Sequence, residues 1–295
     1  PAVSGVPAVS GGHIYTSSDA GLTWVARPTD VANTSHVWSA VASSANGNNL
    51  LAAVNGGQLY TSADAGLTWI VRPTDLANTA RSWKAVASST DGLKLVAVAG
   101  AGLFAGDQIY TSSDAGVTWT VRATDATFTA RDWTAVASSA DGSKLFATTA
   151  SGGTACMFCM FGTPTGQLYI SNNAGLTWTL ANVPLQQGAL SSVASSSDGM
   201  TLLAGAGGMG AFRSSDAGIT WQALGVGATN VAMSANGNKL ISVYSGMGWG
   251  GLLTSTDSGT NWIFHATPTG AFTTTAISGN GLVLATADSA GVIST

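Results

Sequence analysis

Glutamate is missing from this 295-residue chain: all fourteen acidic residues are Asp, set against four Lys and six Arg. Charged residues make up only 8% of the composition, against roughly 25% in an average soluble protein. So few cations, with a net charge of −4, leave no basic patch of the kind nucleic acid recognition requires. They also leave no polybasic run for an anionic membrane surface. No apolar run reaches the eighteen or so residues of a transmembrane helix, so no membrane insertion is expected. The three His never fall in a His-x-His or His-x-x-x-His spacing, which indicates no metal site. No Gly run opens a helix as a phosphate loop does, and no cofactor is expected. No signal peptide is recognisable and the first residue is Pro1, which reads as a mature form or a fragment. A surface of Ser, Thr, Ala, Gly and Asn, which this composition dictates, points outside the cell.

What is present is repetition. The signature S-x-D-x-G-x-T-W occurs over Ser17–Trp24, Ser62–Trp69, Ser112–Trp119 and Ser214–Trp221, with drifted copies over Ser171–Trp178 and Ser255–Trp262. Its third position holds Asp19, Asp64, Asp114, Asn173, Asp216 and Asp257, spaced by 45, 50, 59, 43 and 41 residues. A second signature sets Asn-Gly or Asp-Gly between apolar runs, as in "AVASSANGNNLLAAV" and "AVASSTDGLKLVAVA". Asn-Gly and Asp-Gly suit a type I′ hairpin, whose two central residues need positive φ. In the first signature the Asp can accept N–H groups of its own turn, with the Gly supplying the positive φ. Helical periodicity is absent, so the chain reads as all-β. Four short strands in each 40–50 residues are the sequence form of a β-propeller blade. The whole of 1–295 reads as a single propeller domain. Counting strands, including "AVSG" (Ala2–Gly5) and "VPAV" near Val6, gives seven blades with an incomplete last one. Six blades with a shared closing blade is the alternative.

The boxes resemble the Asp-box, or BNR, repeat, and the resemblance covers almost the whole chain. Proteins with that repeat include sialidases, some endoglucanases, sortilin-type receptors, a photosystem II assembly factor and bacterial lectins. The resemblance implies that the box is a structural hairpin on the blade rim. It also implies what a sialidase would need: an arginine triad, an Asp acid/base, and a Tyr nucleophile activated by Glu. This chain has no Glu, and no F/Y-R-I-P motif precedes its first box. A glycosidase of another kind needs two carboxylates flanking one bond. Box residues, turn residues (Asp91, Asp141, Asp198) and one repeated loop position (Asp30, Asp75, Asp125) absorb all but Asp107, Asp132 and Asp288. The chain is therefore read as non-catalytic.

Binding residues are sought where the repeat varies. The box turns and Asp/Asn-Gly turns belong at one end of the blades, and the second-to-third-strand loops and blade-to-blade connections at the other. Three connections are near-identical: Arg27 to Trp38, Arg72 to Trp83 (with Arg81) and Arg122 to Trp133 (with Arg131). Either Arg and Asp pair locally there while Trp packs between blades, or the three form equivalent shallow pockets for a sugar, with avidity from repetition. The longer loops carry Met157, Phe158, Met160, Phe161, Met209, Met247 and Trp249. Such an apolar cluster is an interface or ligand groove, or it plugs the mouth of the channel. Cys156 and Cys159 are spaced for a local disulfide or stand as free thiols. The reading is a binding or scaffolding propeller, outside the cell or on its surface, with a glycan or protein partner. A structural subunit of a surface assembly that self-associates into a homo-oligomer, and a glycan-processing hydrolase, are its rivals.

Overall fold

The computed structural model describes the chain except for residues 1–11, 20, 30–34, 78, 101–106, 126–129, 151–165, 186–187, 208–209, 247–248, 266–271, 289–292 and 295. The strands expected over 2–5 and 6–9 lie outside the described residues. Among the described residues every regular element is a β-strand. The chain opens with a hairpin of β1 (Ile14–Thr16) and β2 (Val25–Arg27). There follow two four-stranded units, β3 (Trp38–Ser43), β4 (Leu50–Gly57), β5 (Leu59–Ser62), β6 (Ile70–Arg72) and β7 (Arg81–Ser88), β8 (Leu95–Ala99), β9 (Ile109–Ser112), β10 (Thr120–Arg122). They are fused into one sheet because β4 also pairs with β7 through Asn55↔Ser82 and Gly57↔Arg81. Three separate four-stranded sheets come next: β11 (Trp133–Ser138) to β14 (Thr179–Leu180), β15 (Ser192–Ser195) to β18 (Gln222–Ala223), and β19 (Asn230–Met233) to β22 (Ile263–His265). The last sheet has three strands, β23 (Phe272–Ile277), β24 (Leu284–Asp288) and β25 (Ile293–Ser294). Every pairing is antiparallel and, apart from β4 with β7, joins consecutive strands, and the first strand of each unit packs against the first strand of the next.

The burial gradient follows from that stacking. Second and third strands lie between neighbouring sheets, so β8 and β9 are buried at every position and read as continuous apolar or Thr/Ser runs. Fourth strands form the rim, and in β6 and β10 two of three residues are exposed. The core is a series of layers shared by adjacent units. Leu51 and Leu59 of one unit meet Trp83, Leu95 and Tyr110 of the next.

The turn chemistry departs from expectation in an instructive way. In the segment Ser44–Asn49 the Gly47 amide donates to the Ser44 carbonyl at 3.0 Å. Gly47 has φ of 74°, and neither Ala45 nor Asn46 has positive φ. This is a type I turn closed by a left-handed Gly, not the type I′ turn expected, because Asn-Gly occupies the third and fourth positions instead of the central two. Positive φ at both central positions occurs in the boxes. Ala65 (57°) precedes Gly66 (84°), and the pattern repeats at Ala115, Ala174, Ala217 and Ser258. The box Gly thus supplies only half of the reversal, and an alanine is held left-handed beside it.

The two turns of a unit are tied at one end of the blade. The amides of Ala65, Ala115, Ala174, Ala217 and Ser258 donate to the carbonyls of Asn48, Leu93, Ser143, Met200 and Asn238. Between units, the amides of Ala45, Thr90, Ala140, Ser197 and Ala235 donate in turn to the carbonyls of Thr90, Ala140, Ser197, Ala235 and Gly279, at 2.7–2.9 Å. Side chains reinforce the belt. Lys94, Lys144 and Lys239 donate their ammonium groups to the carbonyls of Asp141, Asp198 and Gly281, and Asn49 does the same to Asp91. Three of the four lysines are therefore staples between blades.

A left-handed alanine costs about 1–2 kcal/mol, a strain that glycine does not carry. Ala115→Gly is expected to raise Tm by about 2 °C, and the four-site variant at Ala65, Ala115, Ala174 and Ala217 by several times that. Thermal denaturation followed by circular dichroism checks this, and a lowered Tm would mean that the methyl groups pack usefully.

Candidate binding face

At the end of the blades away from the turns, the connections build one arrangement three times. In its fullest copy the Arg81 guanidinium donates through Nη2 to Asp75 at 2.7 Å and through Nη1 to Asp107 at 3.0 Å. It lies 4.8 Å from the Tyr110 ring centroid, a cation–π distance. Tyr110 donates its hydroxyl to Asp107 at 3.1 Å and meets Trp83 edge to face at 5.2 Å. Burial, followed by the Asp107 charge, pushes the Tyr110 hydroxyl well above its ordinary range. A bond from the Thr79 amide is the main cause holding Asp75 below the carboxylate range. In the next copy Arg131 pairs with Asp125 at 2.7 Å, lies over Tyr169, and Trp133 meets Tyr169 edge to face. In the first copy His36 stands where Arg81 and Arg131 stand, with Trp38 and Tyr60 packed around its ring.

The Trp indoles seal the junctions. Trp38, Trp83 and Trp133 donate through Nε1 to the carbonyls of Gly12, Gly57 and Asp107 in the preceding unit. Trp83 and Trp133 are fully buried and Trp38 is half-buried. No ring face of Trp83 or Trp133 is open to a sugar. Nor do the first arginines of the connections join these clusters. Arg27, Arg72 and Arg122 donate through Nε to Thr16, Thr61 and Thr111 at 2.6–2.7 Å. They line grooves between consecutive units near the boxes, so each expected set of Arg, Asp and Trp is divided between two places. The tyrosines were not singled out by sequence, and Asp107 stood out only as an aspartate outside the repeat, not as a partner of Arg81. Their spacing from the Trp varies from 22 to 36 residues, and the usable signal was the recurring Gln-x-Tyr at Gln58, Gln108 and Gln167. Met157, Phe158, Met160, Phe161, Met209, Met247, Cys156 and Cys159 lie outside the described residues, and Trp249 is described by its backbone in β21 (Trp249–Ser255).

At the turn end, the boxes are hydrogen-bond cages. Ser62 Oγ donates to Asp64 Oδ1 at 2.7 Å and accepts from the Gly66 amide at 2.8 Å. The Thr68 amide donates to Asp64 Oδ1 and its hydroxyl to Oδ2 at 2.5 Å, while Trp69 Nε1 donates to the Gly66 carbonyl. Asp19, Asp114 and Asp216 repeat the set. Asn173 keeps it by donating Nδ2 to Thr177, and Asp257 by accepting from Asn261. The threonine hydroxyl is the main cause that lowers Asp19, Asp64 and Asp216 to about 2. Asp91 and Asp198 in the inner turns are lowered chiefly by Ser89 and Ser196. Where burial pushes Tyr110 and Tyr169 up, these carboxyls are pushed down. No group of three or more His, Cys, Asp or Glu that could hold a metal occurs among the described residues.

A cavity of about 630 Å³ lies where the first hairpin and β3–β4 face the last sheet. It is mostly apolar, with Trp24, Leu50 and Val283 in its wall beside Arg27 and Thr275.

No protein-family model matches the chain, and no curated protein sequence matches it. Solved structures do. A GH74 enzyme of Niastella koreensis is 18% identical with a TM-score of 0.60, over 86% of this chain and 36% of its own. The chain therefore spans about a third of that enzyme's length. YCF48 bound to D1 peptide is 15% identical with a TM-score of 0.64, over 92% of this chain and 82% of its own. The Cps50 (Swd1) β-propeller domain of Myceliophteria thermophila is 14% identical with a TM-score of 0.62, over 85% and 79%. At these identities the likeness is one of fold, and the fold is a β-propeller.

Two outcomes follow. Hydrogen bonds from their own turns lower Asp19, Asp64 and Asp216 from the ordinary 3.8 to about 2. A depressed folded pKa gives stability that is complete above about pH 4 and lost as pH falls towards about 2. Tm measured against pH should be flat near neutrality and fall across that window, less steeply in Asp64→Asn, because Asn173 shows that an amide can close the same turn. Trp83→Ala should cost about 3–5 kcal/mol in denaturant unfolding, whereas a loss under 1 kcal/mol would mean the ring does not seal the junction.

Proposed function

We propose that this chain is a non-catalytic binding and scaffolding propeller of the Asp-box type, a single domain over 1–295 outside the cell or on its surface. Its partner is another protein chain in the first place and a glycan in the second, met on the face of the variable loops. The observation that carries this is the employment of the aspartates. Five hold box turns, Asp91, Asp141 and Asp198 hold inner turns, and Asp75, Asp107 and Asp125 hold arginines. A glycosidase needs one carboxyl kept protonated by a raised pKa, and every resolved aspartate shift is downward. A peptide-bound propeller among the structural neighbours favours the protein partner.

We infer seven blades. The hairpin β1–β2 matches the third and fourth strands of other units, and β23–β25 the first three. A shared six-blade closure would need β1 beside β24, where β25 already pairs through Thr286↔Ser294 and Ala287↔Ile293.

The scarcity of charge, 8% of residues, with exposed Ile70, Ile263 and Phe264 on the rim strands, favours a structural subunit of a surface assembly as the second reading. A glycan-processing hydrolase is the third, and two of the structural neighbours are GH74 enzymes.

The test is a glycan array and a pull-down from extracellular protein, with wild type and a Met157→Ser/Phe158→Ser/Phe161→Ser variant. The expected result is a defined binder lost in the variant, whose Tm is unchanged, with no turnover of bound glycan. Turnover that disappears in Asp107→Asn would overturn the non-catalytic reading. Binding that survives the variant would remove Met157, Phe158 and Phe161 from the site.

A further inference from the structure

The residue after the box Gly is aliphatic in five consecutive boxes: Leu22, Leu67, Val117, Leu176 and Ile219. All five side chains are exposed, from 55% at Val117 to 85% at Leu22. Turn geometry does not require this, since the sixth box places Thr260 there and still closes. Leu93, Met200 and Leu282, each following an inner Asp/Asn-Gly, are exposed at the same end. Their turns are tied to the boxes by the Ala115–Leu93 and Ala217–Met200 bonds. The turn end is therefore a ring of apolar knobs. Lone exposed aliphatics need no explanation, but a repeated set on one face marks an interaction surface.

Between the knobs run grooves that repeat with the same period. Two are equivalent, one at each of two consecutive junctions. Each has a leucine floor (Leu50 and Leu95, or Leu95 and Leu145) and an arginine wall (Arg72 or Arg122), whereas Arg27 lies in the larger cavity that also faces the last sheet. Charge alternates with this relief: box carboxylates sit on the knobs and guanidinium groups in the grooves. Counting Asp91, Asp141, Asp198 and the five box aspartates against Arg27, Arg72, Arg122, Lys94, Lys144 and Lys239, the end carries both signs with a net charge of −2. Such a face suits neither a polyanion nor a polycation. It suits its own copy. When one ring is turned over and rotated by half a unit, its knobs fall on the other's grooves, aliphatic tip over leucine floor and aspartate beside arginine. An isologous contact of this kind closes at two chains.

We propose that the turn end is a self-complementary face through which two copies of this chain pair, leaving both variable-loop faces free. The proposal is independent of the partner met on the opposite face.

The test is sedentation equilibrium of the full chain from micromolar to submillimolar concentration, for wild type, Leu67→Ser/Leu176→Ser and Arg72→Ala/Arg122→Ala. Wild type is expected at twice the 29.4 kDa chain mass. The leucine variant counts twice in a two-fold interface and should raise the dissociation constant at least about 100-fold. The arginine variant should raise it less, with the larger effect at low salt. Both variants are checked for unchanged circular dichroism and Tm. A single-chain mass throughout overturns the proposal. So does an oligomer whose dissociation constant the leucine variant leaves unchanged, which would place self-association elsewhere on the molecule.

Discussion

One belt of backbone hydrogen bonds carries the rest of this structure. From Ala45 to Gly279, one amide in each inner turn donates to the equivalent carbonyl in the next unit. A four-stranded sheet cannot bury both of its faces alone, and stacking supplies the missing cover. Stacking by apolar contact would tolerate sliding, whereas a hydrogen bond at 2.7–2.9 Å does not. The belt fixes the offset between neighbours, and the Lys94, Lys144 and Lys239 staples fix it again from the side. With the offset fixed, the tryptophans reach the carbonyls of the preceding unit and the leucine layers meet.

The same constraint explains how the charges are spent. A chain with so few of them still places nearly every described one where a backbone group or an opposite charge needs it. Carboxylates close turns by accepting several donors at once, which holds them ionised and removes them as proton donors. Arginines sit over tyrosines or against threonines. The repeated aspartate that first suggests chemistry is thus an architectural anion.

Much of the frame was legible in the sequence. The boxes, the inner turns, their shared end of the blade and the strand order are local, and each repeats often enough to be read. Two kinds of feature were not. Turn type depended on whether Asn-Gly falls on the second and third or the third and fourth positions of its turn, and periodicity does not report that. Ala65, Ala115, Ala174 and Ala217 carry a left-handed φ that nothing in an alanine announces. Contacts between units were also hidden. The sequence offered Arg72 and Arg81 alike as partners for Asp75, and in the fold Arg81 takes both Asp75 and Asp107 while Arg72 turns to Thr61. For the variable loops, where Met157, Phe158 and Phe161 lie, the sequence remains the guide.

The measurement that bears most directly on this account is native-state amide hydrogen exchange at Ala45, Thr90, Ala140, Ser197 and Ala235. If the belt couples the units, these five amides exchange together and slowest, at the free energy of unfolding the whole molecule. If the units are held by stacking alone, each amide exchanges at its own faster rate as its turn opens locally, and the belt is an ornament of the fold rather than its fastening.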